Sequence, residues 1–263
     1  MPFKGLISAY DTACECFKND ATFYEWITTA SSSKCSGQIC VAPIYFEKKY
    51  FWYLENVNYD PIQEEKSTWI AKKFGGSIGD KNQDSYVKKY FQLENDEYLI
   101  TINSKDRPVL LLNPYTNDWF NPMSTRHHTK GWLCLPLFSY KKRHSQNYVL
   151  EDQKLNSPHR FYMPPSYDDK PGISLESVIQ LQTIQIINGH YLIPLKCMCK
   201  NKTPQMKRPF KVSDLGLKII LFHFFKSLPV FDTVFNTSKS QEKEDYILFR
   251  DIVNEIIKDT SHD

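Results

Sequence analysis

Three things are missing from this chain of 263 residues, and each removes a class of function. No apolar run approaches the roughly twenty residues needed to cross a bilayer, and the N-terminal Met-Pro-Phe-Lys-Gly-Leu-Ile carries no long apolar signal region. A soluble, cytoplasmic protein with no membrane partner is therefore expected. One-sided charge is missing too. Lys and Arg number 33 against 30 Asp and Glu, a formal net charge of +3, which is too small to mark a nucleic-acid binder by its total. Any such surface has to come from where the basic residues cluster.

The third absence is of catalytic signatures. No Gly-x-Ser-x-Gly elbow occurs, and no Cys/His pair stands out from the background. His127 and His128 are adjacent, and on a strand they would point to opposite faces, so they do not readily chelate one ion. No metal or cofactor is expected. Gly75-Gly76-Ser77-Ile78-Gly79 is not a phosphate loop, because no buried apolar strand precedes it and no Gly-Lys-Ser/Thr follows. It reads instead as a linker or a mobile loop, dividing an N-terminal extension (1–80) from the remainder (81–263).

Seven cysteines, Cys14, Cys16, Cys35, Cys40, Cys134, Cys197 and Cys199, are an odd number, which together with the missing signal argues for reduced thiols. Cys14-x-Cys16 and Cys35-x4-Cys40 could supply four zinc ligands, but C-x-C is not the usual zinc-knuckle spacer. Buried structural thiols are the preferred reading.

What is present is apolar and aromatic, 41% and 14% of residues, enough to bury a large core in one large domain or two small ones. Leu6 to Ile27 follow helical spacing, with a break near Asn19-Asp20 that predicts two helices. Ile39 to Phe46 and Tyr50 to Leu54 predict two strands joined at 47–49, and a short helix is expected around Ile62 to Phe74. Strands are expected at 86–93 and 97–102. Val109 to Leu112 is an apolar run of strand length, bounded by Pro108 and Asn113-Pro114, and Trp132 to Leu137 is a second one. A dense basic run, Lys141-Lys142-Arg143-His144, follows, and then a proline-rich loop from Asn156 to Lys170. Strands at 175–187 and 190–199 flank Asn188-Gly189, a strong hairpin signal. Leu215 to Leu228 and Glu242 to Lys258 are helical, the first capped by Ser213 or Asp214. The class is α+β, with a barrel-like sheet.

Arg107 before the first apolar run, Ser139 after the second, several histidines and the basic run suit phosphodiester chemistry. RNA supplies its own 2′-hydroxyl nucleophile, so a protein need only orient the phosphate, move protons and stabilise charge on the phosphorane. Arginine suits the last task, because its planar fork holds two phosphate oxygens. Trp119-Phe120 lies in a polar loop, where an aromatic pair could stack on bases.

Arg107-Pro108-Val109-Leu110-Leu111-Leu112-Asn113, then Gly131 to Pro136, then Ser177-Val178-Ile179-Gln180-Leu181-Gln182-Thr183-Ile184 resemble in order and spacing the MazF/PemK toxin family, over about residues 98–225. The resemblance implies an SH3-like antiparallel β-barrel, here with an N-terminal α/β extension and C-terminal helices. It implies metal-independent cleavage of single-stranded RNA to a 2′,3′-cyclic phosphate and a 5′-hydroxyl, in toxin–antitoxin or phage-defence biology. Arg107 matches the family's catalytic arginine and Ser139 is the candidate second catalytic residue, although Phe138 falls at the family's first hydroxyl position. Lys141, Lys142, Arg143, His144, Trp119, His127 and His128 are the expected substrate-binding residues. An antitoxin is the implied partner, and a homodimer is left open. The alternative is a catalytically silent barrel that binds protein or nucleic acid.

Overall fold

A computed structural model describes residues 7–17, 22–28, 34–46, 52–58, 68–73, 100–101, 103–115, 131–141, 144–166, 170–198, 207–228 and 241–259. In chain order its elements are helix α1 (Ile7–Phe17); strands β1 (Tyr24–Trp26), β2 (Ile39–Phe46), β3 (Trp52–Asn58), β4 (Thr68–Lys73), β5 (Ile100–Thr101), β6 (Asn103–Tyr115) and β7 (Gly131–Ser139); helix α2 (Gln146–Gln153); strands β8 (Arg160–Met163), β9 (Ser177–Gln180), β10 (Gln185–Asn188), β11 (Ile193–Pro194), β12 (Lys196–Met198) and β13 (Lys207–Val212); and helices α3 (Asp214–Lys226) and α4 (Gln241–Asp259). The expected α+β class holds, with antiparallel pairing in the registered strands.

The two apolar runs that stand out in the sequence form the centre of the main sheet. Val109, Leu110 and Leu111 are fully buried and pair with Pro136, Leu135 and Cys134 of β7, as a strand covered on both faces should. β6 runs past both of its expected proline boundaries. A register shift between Leu111 and Asn113 lets Pro114 sit opposite Trp132, the irregular position at which a strand tolerates a residue without an N–H.

On its other side β7 meets β9 (Leu137↔Ile179, Phe138↔Val178, Ser139↔Ser177) and then β10 (Gln185↔Cys134 to Asn188↔Gly131). A 3-10 turn, Leu181–Thr183, interrupts what would be one long strand. It is pinned by Leu181 N–H donating to His159 O (3.0 Å) and by Thr183 Oγ1 donating to Gln180 O (2.8 Å).

The expected hairpin at Asn188-Gly189 does not form. The Asn188 side chain instead accepts from His190 N–H (3.0 Å) and caps a 3-10 turn, Gly189–Tyr191. β11 then pairs with β2 (Ile193↔Val41, Pro194↔Cys40) rather than with β10. Five neighbouring strands thus run β10-β7-β6-β2-β11, and their two outer members are joined through a single 3-10 turn. At about 2 Å for each 3-10 residue and about 3.3 Å for each extended step on either side, the connection from Asn188 to Ile193 spans roughly 13 Å, whereas a flat five-stranded sheet would need about 19 Å at about 4.8 Å per strand. The sheet is therefore strongly curved.

β1 and β12 flank β13 in a second sheet, with Tyr24↔Val212 and Lys196↔Pro209 among the pairs. This corrects the second expected helix: Phe23 and Tyr24 are both buried as neighbours, which an extended segment between two layers allows. Gly37 ties the two sheets together, donating to Leu111 O (2.7 Å) and accepting from Val212 N–H (2.8 Å). Its φ is +81°, and a Cβ there would lie 2.8 Å from Val212 O, so only glycine fits without strain.

An aromatic core fills the space between sheet and helices. The Tyr10 ring of α1 meets Phe23, Phe161, Tyr162 and Phe249 at centroid distances of 5.4, 6.1, 5.5 and 5.5 Å. Ser213 caps α3 by accepting from Gly216 N–H (3.2 Å). Two further expectations fail: β8 lies in the 156–170 segment expected to be loop, and β4 occupies Thr68–Lys73, where a helix was expected. β13 gives no sequence signal of its own.

Contacts divide the chain into Met1–Ala42 with Arg107–Asp263, and Pro43–Asp106. The second unit contributes a three-stranded antiparallel sheet, β4-β3-β5, in register from Trp52↔Lys73 to Asn56↔Trp69. The boundary expected near residue 80, the glycine cluster and the strand expected at 86–93 lie outside the described residues.

Candidate functional site

Arg107 lies on β6, two residues before its buried centre, and its guanidinium carbon sits 4.9 Å from the centroid of the Phe138 ring. Side chains paired across antiparallel strands share a face, and successive residues alternate. The register of β7 with β9 is unbroken through Leu137, Phe138 and Ser139. Ser139 therefore points to the face opposite Phe138 and Arg107.

Its hydroxyl lies 3.5 Å from Ser177 Oγ, and Ser177 in turn donates to Leu175 O (2.9 Å). The structure does not bring the two expected catalytic residues together. The ring of Phe138, which does lie beside Arg107, has no proton to give. Trp119, His127, His128, Lys142 and Arg143 lie outside the described residues, while Lys141 is exposed and His144 half-buried.

The polar groups that do converge follow directly after β7. Asp152 on α2 is completely buried. It accepts from Tyr140 Oη (2.9 Å, at Oδ2) and from Arg160 Nε on β8 (2.8 Å at Oδ1, 3.1 Å at Oδ2). The Arg160 guanidinium lies over the Tyr148 ring, 4.1 Å from its centroid, and the His144 imidazole stacks on the same tyrosine at 5.3 Å and 30°. His144 Nδ1 accepts from Lys141 N–H (3.1 Å), which leaves the proton on Nε2. Beside this group Tyr162 Oη donates to Glu176 Oε1 (2.8 Å).

Burial, and then the Asp152 carboxylate, push the Tyr140 phenol well above its ordinary value, so it acts as a fixed donor. Lys141 and His144 are among the residues expected from the sequence, whereas Tyr140, Tyr148, Asp152, Arg160 and Glu176 are not. They come from four segments that share no spacing, and only the pairing of β7, β9 and β8 assembles them.

His223 of α3 is buried beneath this cluster. Its Nε2 faces Ser157 O (2.8 Å) and Arg160 O (3.1 Å), and its Nδ1 faces Tyr246 Oη at 2.5 Å. Burial lowers its pKa to about 4. Cys14, Cys40 and Cys134 are buried, and burial pushes each thiol up to about 12, so they stay protonated and pack as small apolar groups. Among the described residues no cluster of three His, Cys, Asp or Glu could hold a metal ion, and no helix is long and apolar enough to cross a membrane.

No family model, curated protein or solved structure matches this chain. Chemically, the two arginines are suited to anions: Arg107 on an aromatic ring, and Arg160 held by a buried carboxylate.

Proposed function

We propose that the chain is an SH3-like barrel of the MazF/PemK toxin type, acting as a metal-independent endoribonuclease on single-stranded RNA. The observation that carries this reading is the strand order β10-β7-β6-β2-β11, whose outer strands are joined by one 3-10 turn. A curved sheet with that connection is what an SH3-like barrel requires. Arg107 stands on the strand where the family resemblance puts its catalytic arginine. In the reaction the RNA 2′-oxygen attacks the adjacent phosphorus, the bond to the 5′-oxygen breaks, and a 2′,3′-cyclic phosphate and a 5′-hydroxyl result. Arg107 would hold the phosphorane oxygens while their negative charge develops.

Phe138 favours a second reading. With a phenyl ring against Arg107 and Ser139 on the opposite face, the serine expected to move a proton does not stand beside the arginine, which suits a barrel that binds RNA or protein without cutting. Incubating the protein with a long, weakly structured RNA in EDTA separates the two. Fragments ending in a cyclic phosphate, lost in Arg107→Ala, support the nuclease; intact RNA rejects it. In cells, the nuclease reading predicts that expression slows growth, and that a small partner with an acidic segment able to fill the RNA groove relieves it.

A further inference from the structure

The polar cluster after β7 carries an inference that rests on the RNA reading above and deepens it.

We propose that Arg160, His144 and Lys141 form a phosphate-binding subsite, apart from Arg107, that takes a phosphodiester of the single-stranded RNA. Arg160 is the anchor. Its Nε is committed to the buried Asp152, and its plane is fixed over Tyr148. Its two Nη nitrogens make no hydrogen bond among the described residues, and its side chain remains 28% exposed. A guanidinium immobilised through one nitrogen, with its outer fork open, is prepared to receive two phosphate oxygens at little entropic cost.

His144 supplies the second donor. Its Nδ1 is occupied by the Lys141 N–H, so Nε2 bears the proton, and the ring shares Tyr148 with Arg160. Lys141 adds an exposed positive charge at the same turn. The carboxylate that could cancel Arg160 is turned inward, entirely buried and shared with Tyr140, so the outward side of the cluster is left positive.

The subsite also faces the same way as Arg107. Phe138 pairs with Val178 and Val178 with Tyr162, while Arg160 pairs with Gln180, two residues along. These residues therefore share one face of the sheet with Arg107. Three strand spacings, about 14 Å, separate the rows of Arg107 and Tyr162, and Val178 and Tyr162 are buried between them, so the two arginines are separate anion contacts and not one open track across the sheet.

The test is anisotropy titration of a labelled, fully 2′-O-methylated RNA, which cannot be cleaved, across a salt series. Arg160→Gln and His144→Gln should each weaken binding, and the log-log salt slope of Arg160→Gln should fall by about 0.7 for one lost contact to single-stranded phosphate. Arg160→Lys keeps the charge beside Asp152 should Arg160→Gln fail to fold, and because it removes the fork it should bind about tenfold more weakly. In parallel, inorganic phosphate should shift the His144 ring resonances of the wild type and not of Arg160→Lys.

RNA binding that depends on Arg107 but is unchanged in folded Arg160→Lys and His144→Gln overturns the subsite while leaving the RNA reading intact. A phosphate response at His144 without RNA binding keeps the anion site and rejects its RNA occupant. Neither response overturns both.

Discussion

The hydroxyl of Tyr246 on α4 and Nδ1 of His223 on α3 lie 2.5 Å apart, while Nε2 of the same ring faces the carbonyl oxygens of Ser157 and Arg160. Carbonyls only accept, so Nε2 carries the proton and Nδ1 accepts from Tyr246. One neutral imidazole thereby joins two helices to the segment leading into β8. It also sets a pH dependence. The ring is held neutral down to about pH 4 by burial, whereas an unfolded histidine takes up a proton near pH 6.5.

Between those values the unfolded chain binds the extra proton, so stability is full above about pH 6.5 and is lost as the pH falls towards about 4. Going from pH 7.5 to 4.5 should cost about 2 to 3 kcal/mol from this residue alone. Urea denaturation at both pH values measures it. His223→Gln should be less stable at pH 7.5 but lose less on acidification than the wild type; an equal loss in both would reject the assignment.

The cutting reaction should respond to three single changes in different ways. Arg107→Ala should slow RNA cleavage by about a hundred- to a thousandfold with an unchanged circular dichroism spectrum. Ser139→Ala should leave the rate near that of the wild type, because Ser139 bonds to Ser177 on the far face. Phe138→Thr places a hydroxyl beside Arg107 and should raise the rate. A large loss in Ser139→Ala would mean that the strand register does not govern the site.

Removing the buried carboxylate should be costly. Asp152→Ala strands Tyr140 Oη and Arg160 Nε without their acceptor, and breaking a buried pair by deleting one partner costs about 3 kcal/mol or more. Asp152→Asn retains one acceptor oxygen and should fall between Asp152→Ala and the wild type. Midpoints of thermal and urea unfolding give the order, and a silent Asp152→Ala would show that the cluster contributes nothing to stability.

Gly37→Ala should destabilise by about 1 to 3 kcal/mol, combining a left-handed φ with a clash against Val212 O. Because Gly37 joins the main sheet to β13 through two backbone bonds, hydrogen exchange at Val212 N–H should quicken more than at Leu110 in the centre of β6. Uniform quickening would argue against Gly37 as a local junction.

The sequence by itself determined the elements whose signal is local. Val109–Leu112 and Trp132–Leu137 are dense apolar runs and became the paired centre of β6 and β7. The apolar 215–228 segment, preceded by a serine, became α3 with Ser213 as its cap. Tertiary structure decided what depends on partners. Asn188-Gly189 looks like a hairpin, but β10 pairs with β7 and β11 with β2, so the turn chemistry serves a 3-10 cap instead. Phe23–Trp26 carries apolar residues at helical spacing, yet the open edge of β13 makes it a strand. The site divides in the same way. A lone arginine before a strand can be seen in the sequence, but whether it faces Ser139 or Phe138 depends on one residue of register, and register is set across strands. Asp152 and Arg160 meet, and His144 shares the Tyr148 ring with Arg160, only because β8 packs beside β9 and α2 lies against it, so no spacing along the chain could have announced the cluster.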